Sequence, residues 1–149
     1  MPPSGYVLRP FELRDLGQVS KVEEASFPER PYSKMDFLSC LLIAREGFVV
    51  AVKDGTVIGY VIAIGEGGQG MIQSIAVSPE SRRKGVGELL MKAANEYLAR
   101  RFRRVSLLVD ADNEKAIRLY RKLSFFETGR IIEGYYPNGD DAVEMAKEL

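Results

Sequence analysis

Ile75-Ala76-Val77-Ser78-Pro79-Glu80-Ser81-Arg82-Arg83-Lys84-Gly85-Val86-Gly87-Glu88-Leu89-Leu90 changes character along its length. An apolar strand runs into a Ser-Pro turn, then three consecutive cations, then Gly-x-Gly, then an amphipathic helix. From Val86 the apolar residues Leu89, Leu90, Ala93, Ala94, Tyr97 and Leu98 recur with a period of about 3.6. The unpaired amides at a helix start favour an anion. Gly85 and Gly87 remove side chains from the approach, and Arg82, Arg83 and Lys84 add positive charge, so the stretch predicts a pyrophosphate-binding turn.

The flanking patterns extend this strand-turn-helix into a whole domain. Tyr6 to Arg9 reads as a strand, and Leu13 to Ala25 as a helix broken by Pro28 and Pro31. Ser33 is placed to cap a second helix through Ala44. Phe48–Val52 and Thr56–Ile64 flank Lys53-Asp54-Gly55, a hairpin signal, and Met71–Val77 is a further strand. Beyond the central helix, Val105–Val109 reads as a strand and Asn113–Leu123 as a helix. Phe125–Ile132 and Ala142–Met145 close the order β-α-α-β-β-β-α-β-α-β-β. That order predicts one mixed α/β domain across residues 1–149, without repeats or a linker.

Other phosphate motifs fail on context. Gly65-Glu66-Gly67-Gly68-Gln69-Gly70 matches G-x-G-x-x-G, but a strand follows it where a dinucleotide site needs a helix. It reads as a loose loop between strands. No Gly-Lys-Ser/Thr is present, which removes P-loop nucleotide hydrolysis.

Composition limits the chemistry. The 149 residues include no histidine, so Ser-His-Asp and Cys-His catalysis and His-ligated zinc are excluded. The single Cys40 lies among Phe37, Leu38, Leu41 and Leu42 and reads as a structural thiol, and no metal site is expected. Lys plus Arg and Asp plus Glu each number 21, so there is no overall pull toward nucleic acid or an anionic membrane. No apolar run approaches the roughly 20 residues that span a bilayer. Met1-Pro2-Pro3-Ser4-Gly5 has no leader-like pattern, and the chain reads as cytoplasmic.

With these residues in view, the chain resembles the GNAT superfamily of N-acetyltransferases. Arg82-Arg83-Lys84-Gly85-Val86-Gly87 matches the Q/R-x-x-G-x-G/A signature directly after the strand Ser74-Ile75-Ala76-Val77. Asn113-Glu114-Lys115-Ala116-Ile117-Arg118-Leu119-Tyr120, followed by Leu123-Ser124-Phe125, matches N-x-x-A-x-x-L-Y-x-x-x-G-F, with Ser124 where Gly is usual. The resemblance implies a mostly antiparallel mixed sheet flanked by about four helices, and acetyl-CoA as co-substrate. It implies cofactor contacts from Ile75, Ala76, Val77, Arg82, Arg83, Lys84, Gly85, Val86, Gly87, Glu88, Asn113 and Tyr120. Tyr120 is implied as the acid that protonates the leaving thiolate, after direct transfer in a ternary complex.

Two more segments look like the substrate loops of protein N-terminal acetyltransferases, the bacterial RimI type and its archaeal and eukaryotic counterparts. They are Phe27-Pro28-Glu29-Arg30-Pro31-Tyr32 and Gly134-Tyr135-Tyr136-Pro137-Asn138-Gly139-Asp140-Asp141-Ala142. The similarity implies acceptor contacts from Pro28, Glu29, Tyr32, Tyr135 and Tyr136, with Glu29 as base or amine-orienting group. Positions where relatives carry Glu or His hold Leu108 and Met71 here, and Asp110 is a second candidate base.

Amine chemistry points the same way. An α-amine of pKa about 7.8 is roughly 15% neutral at pH 7, whereas a lysine of about 10.4 is roughly 0.04% neutral. The difference is about 3.5 kcal/mol, so sparse base machinery suits an N-terminal amine. A lysine or small-amine acetyltransferase, and a partner-dependent acyl-CoA-binding subunit, remain alternatives. Arg100, Arg101, Arg103 and Arg104 read as a solvated helix end, with ribosome or RNA contact as the other reading, and an auxiliary or ribosomal partner is left open.

Overall fold

The computed structural model describes residues 5–29 and 31–149, so Met1 to Ser4 and Arg30 lie outside the described residues. Seven strands form one sheet: β1 Tyr6–Pro10, β2 Phe48–Lys53, β3 Thr56–Glu66, β4 Gln69–Val77, β5 Arg104–Asp110, β6 Phe126–Ile132 and β7 Ala142–Glu148. Their spatial order is β1-β2-β3-β4-β5-β7-β6, and every pairing is antiparallel except β4 with β5. Four helices, α1 Leu16–Ser26, α2 Lys34–Ala44, α3 Val86–Leu98 and α4 Glu114–Lys122, flank it in the expected order. No helix among the described residues is long and apolar enough to cross a membrane.

The sheet divides two apolar cores. On one face Leu90, Met91, Ala94 and Leu98 of α3 bury against Val61, Ala63, Ile72, Val105 and Leu107. On the other, Val19 and Val22 of α1 and Phe37 of α2 meet Phe48, Val50, Tyr60, Ile62 and Ala76. Truncating one such buried side chain costs about 2–5 kcal/mol, which is how these helices are held to the sheet.

Local chemistry sets the element ends. Ser33 Oγ accepts from the Asp36 amide at 3.1 Å while Asp36 Oδ2 accepts from the Ser33 amide at 2.8 Å, a reciprocal cap that starts α2 as expected. The α1 helix begins later than the apolar spacing suggests. Asp15 is withdrawn into a fork with Arg9 at 2.7 and 2.8 Å, and also accepts the Glu12 amide at 2.8 Å, so Leu13–Asp15 forms a tight 3-10 turn instead.

The Gly65–Gly70 segment differs from the loose loop its glycines suggested. β3 and β4 run to Glu66 and from Gln69, leaving a two-residue hairpin turn in which Gly67 and Gly68 have φ of 60° and 82°. A Cβ on Gly65 would sit 2.4 Å from the Phe102 ring, and one on Gly70 2.9 Å from Leu98. These glycines serve the turn and close packing.

Candidate active site

The parallel contact between β4 and β5 is confined to Gly70↔Val105 and Met71↔Ser106. Beyond that fork β5 stays paired with β7 to Asp110, while β4 stays paired with β3 to Val77. The β5-facing edge of β4 from Ile72 onward therefore has no ladder partner. A register shift against β3 leaves Gln73 as the extra residue, so Ile72 faces the α3 core while Ser74 and Ala76 face α1 and α2. Side chains of Ile75 and Val77 pack toward α3 and Ala76 is 7% exposed, so these residues offer the opening chiefly their backbone.

The turn after β4 presents amides. Arg83 and Gly85 take φ of 63° and 81°, and Gly85 starts α3 with no side-chain cap. A Cβ on Gly85 would meet nothing within 4 Å, and one on Gly87 only Val77 Cγ2 at 3.9 Å. Two left-handed residues ahead of a helix start without a side-chain cap leave amides that suit an anion. Arg83 and Lys84 are exposed, and neither forms an ion pair among the described residues. The Arg82 side chain is engaged elsewhere: it donates to the Val77 carbonyl at 3.0 Å and to Ser26 Oγ at 3.1 Å. Val86 is 2% exposed and belongs to the core, while Glu88 pairs with Lys122 of α4 at 2.9 Å.

Tyr120 is set by the end of α4. The Phe125 amide donates to the Tyr120 carbonyl at 2.9 Å and the Ser124 amide to the Arg121 carbonyl at 3.0 Å, with Ser124 at φ 74°. This is a Schellman termination, and its apolar contact is Tyr120 on Phe125, ring centres 5.9 Å apart. Burial pushes the Tyr120 phenol up to about 12, and its hydroxyl has no hydrogen-bond partner among the described residues. Asn113 caps α4 by accepting from the Ala116 amide at 3.1 Å, so its side-chain oxygen is committed to the helix.

Both expected acceptor loops reach this opening. Tyr32 donates its amide to Glu23 at 2.8 Å, and its hydroxyl accepts from Gln73 Nε2 at 3.1 Å. In the β6–β7 loop Asp141 ties down the chain by accepting the Gly134 amide at 2.9 Å, and the Tyr136 carbonyl accepts the Gly139 amide at 2.9 Å. Tyr135 and Tyr136 meet edge to face at 5.0 Å. Burial, followed by the nearness of Tyr135, Asp110, Tyr120 and Tyr32, pushes the Tyr136 phenol up to about 12. Groups from the α1–α2 loop, β5, α4 and the β6–β7 loop thus converge on one place.

The candidate bases fare differently. Pro28 and Glu29 are exposed, and Glu29 makes no hydrogen bond or ion pair among the described residues. Met71 sits at the fork and Leu108 two positions along β5 from its last pairing with β4. Asp110, Asp112 and Asp140 have carboxylate oxygens within 4.8 Å of one another, and burial, followed by a hydrogen bond with Asp140 and repulsion from it, raises Asp110 against the opposing Asp112 amide. Cys40 is partly buried, which raises its thiol and keeps it from thiolate chemistry, in line with a structural role.

One buried acid beside this site carries no motif. Glu23 is 2% exposed, accepts from the Tyr60 hydroxyl as well as the Tyr32 amide, and has its pKa raised by burial. Tyr60 in turn shares a 2.8 Å hydrogen bond with Ser74 Oγ. A signal existed: Val19, Val22 and Glu23 share one helical face, which places a carboxylate on the buried side of α1.

This geometry has counterparts. Residues 12–125 match the acetyltransferase (GNAT) family. The chain belongs to that family. Its sequence is 33% identical to an N-alpha-acetyltransferase of Saccharolobus solfataricus, over 97% of this chain and 93% of the relative. Ard1 from Thermoplasma volcanium superposes with a TM-score of 0.92 at 27% identity, covering 97% of this chain and 98% of that one. The ribosomal-protein-S18-alanine N-acetyltransferase from Escherichia coli gives 0.84 at 27% identity, over 97% and 94%.

The GNAT acetyltransferases use acetyl-CoA, and the residues present fit that donor. An uncapped helix start behind two left-handed residues suits a pyrophosphate. An unladdered strand edge suits a chain of amides such as pantetheine, because its own N–H and C=O groups otherwise lack ladder partners.

Proposed function

We propose that this enzyme acetylates the N-terminal α-amine of proteins, by direct transfer with donor and acceptor bound together. The observation that carries the reading is the convergence of Tyr32 and Tyr136, from two separate loops, on the opening that also holds Tyr120. Two loops gripping an acceptor from opposite sides suit an extended peptide end. The relatives in Saccharolobus solfataricus and Escherichia coli bear names with the same class of acceptor.

Acetyl-CoA supplies an activated acyl group whose carbonyl carbon accepts the amine. Arg83, Lys84 and the amides of Gly85, Val86, Gly87 and Glu88 are assigned to its phosphates, with Asn113 beside them. Ile75, Ala76 and Val77 are assigned, through their backbone, to its amides and to the acetyl carbonyl, because fixed donors stabilise developing charge without reorganising. Tyr120 is assigned as the acid at sulfur. Its raised pKa keeps the proton in place at working pH while the apolar setting makes thiolate release without protonation costly. Pro28, Glu29, Tyr32, Tyr135 and Tyr136 are assigned to the acceptor. Glu29, exposed and unpaired among the described residues, is free to hold the ammonium of an incoming chain end. A solution-phase enzyme of the cytoplasm, with or without an auxiliary subunit, accords with this role.

The test is transfer to peptides beginning Ser, Ala, Thr, Met-Leu and Met-Glu, each with an internal lysine and each with an N-terminally blocked copy, read by mass spectrometry. Modification of free but not blocked peptides is expected. Modification of blocked peptides would move the acceptor to lysine, and turnover of spermidine alone would move it to small amines.

A further inference from the structure

The chain has no histidine, its fork is lined by Met71 and Leu108, and Glu29 is exposed. Yet acetylating an ammonium requires that a proton leave nitrogen before the lone pair can attack. One connected set of polar groups leads away from the unladdered edge of β4, and it ends in a buried carboxylate. Ser74 Oγ lies 2.8 Å from the Tyr60 hydroxyl, Tyr60 donates to Glu23, and Glu23 also accepts the Tyr32 amide at 2.8 Å.

The direction of this wire follows from bonding capacity. An ionised Glu23 only accepts, so the single Tyr60 hydrogen points to it. The Ser74 hydrogen must then point to Tyr60, leaving Ser74 lone pairs for a donor outside the pair. Every hydroxyl is therefore oriented to pass a proton from β4 toward α1. Tyr60 is fully buried and Ser74 partly exposed, so the wire has a single open end, at the strand edge.

We propose that Ser74, Tyr60 and Glu23 form a proton relay that deprotonates the acceptor amine, directly or through one water at Ser74. The inference rests on the amine-acetylation reading above. The ammonium N–H bond breaks and its proton joins Ser74 Oγ, as the Ser74 proton moves to Tyr60 and the Tyr60 proton to Glu23. The freed lone pair forms the N–C bond, and the C–S pair leaves on sulfur. The proton that nitrogen loses on becoming an amide balances the one that sulfur gains. One proton is left over, on Glu23, and it returns to water by the reverse shift once products leave. Burial raises the proton affinity of Glu23, which favours it as the terminus. The titratable groups facing it are Tyr60 from β3, Tyr32 ahead of α2, and Asp36 and Cys40 of α2, none of them a cation that would oppose protonation. Glu23 and Tyr60 act through Ser74 and are positioning residues by that criterion.

The experiment is the pH profile of kcat/KM for Glu23→Gln, Tyr60→Phe, Ser74→Ala and Ser74→Thr, using the best acceptor, with acetyl-CoA affinity and melting temperature measured alongside. Glu23→Gln and Ser74→Ala are expected to lose on the order of 10²-fold in kcat/KM at pH 7, with acetyl-CoA affinity unchanged. The deficit should shrink as pH rises past the amine pKa, because solvent then removes the proton, and Ser74→Thr should restore the wild-type profile. A loss that is constant with pH would make the network a structural brace and overturn the relay, as would full activity in Ser74→Ala. If Glu23→Gln or Tyr60→Phe fails to fold, the Ser74 pair decides. Wild-type protein that binds acetyl-CoA but acetylates no amine would overturn the functional reading itself, and the relay with it. Turnover of an amine other than a peptide end leaves the same profiles to decide the relay alone.

Discussion

The Arg82 guanidinium donates to the Ser26 hydroxyl at 3.1 Å, joining residues 56 apart in sequence. A second bond to the Val77 carbonyl at 3.0 Å fixes the same side chain to the end of β4. Arg82 begins the turn assigned to phosphate, and Ser26 ends the helix that leads into the Phe27–Tyr32 loop. The turn assigned to the donor and the loop assigned to the acceptor are thus joined through one side chain.

Removing the acceptor of that bond should loosen the peptide side alone. Ser26→Ala deletes one exposed charge-assisted hydrogen bond, worth about 1–2 kcal/mol at most. The expected result is a peptide KM raised about threefold to tenfold, with acetyl-CoA affinity unchanged, measured by steady-state kinetics and titration calorimetry. An equal loss on both sides would mean that Arg82 braces the phosphate turn and not the loop.

Tyr120 offers a cleaner chemical test, because its hydroxyl has no partner among the described residues. Tyr120→Phe should keep the melting temperature and cost on the order of 10²-fold in kcat. The pH dependence follows from the sign of the shift: a phenol raised to about 12 stays protonated through the accessible range. Wild-type kcat should therefore hold its plateau through about pH 10, where a phenol of ordinary pKa would already be half ionised. A descending limb near 10 that vanishes in Tyr120→Phe would show that bound donor restores the ordinary value.

Gly85 is held at φ 81° with open space where a Cβ would be. Gly85→Ala thus meets no clash and acts through backbone preference, at about 1–2 kcal/mol. Acetyl-CoA affinity is expected to fall about tenfold as the turn relaxes away from its left-handed form, read by calorimetry on folded protein. An unchanged affinity would detach this turn from phosphate binding.

How legible this was depended on the kind of interaction. Periodicity and caps are local, so the element order, the Ser33 cap and the α3 start could be read from neighbouring residues. The shape of the Gly65–Gly70 turn could not, because it is decided by Phe102 and Leu98, far along the chain. The later start of α1 likewise depends on Arg9 capturing Asp15 from another element. At the candidate site, Tyr120 and the two loops assigned to the acceptor were marked by motif, whereas Ser74, Tyr60 and Glu23 come from three elements and meet only when α1 packs on the sheet. The bulge at Gln73 turns Ser74 toward that packing, and no alternation in β4 announces it.

Ser124 holds a backbone conformation that an L side chain rarely adopts. It occupies the left-handed residue of the Schellman turn, φ 74°, where glycine is free of the Cβ penalty. The serine side chain contributes no hydrogen bond among the described residues that would offset the strain. Glycine also raises the entropy of the unfolded chain, so the net gain for Ser124→Gly is expected at about 0.5–1 kcal/mol, or roughly 1–4 °C in melting temperature for a chain of this size. The denaturant midpoint should rise with an unchanged slope, since surface burial is the same. Because the backbone bonds that seat Tyr120 persist, kcat should be unchanged. If instead stability rose and kcat fell, the strain at Ser124 would be holding Tyr120 in its working position, and the departure from the family's glycine would be part of the active-site geometry.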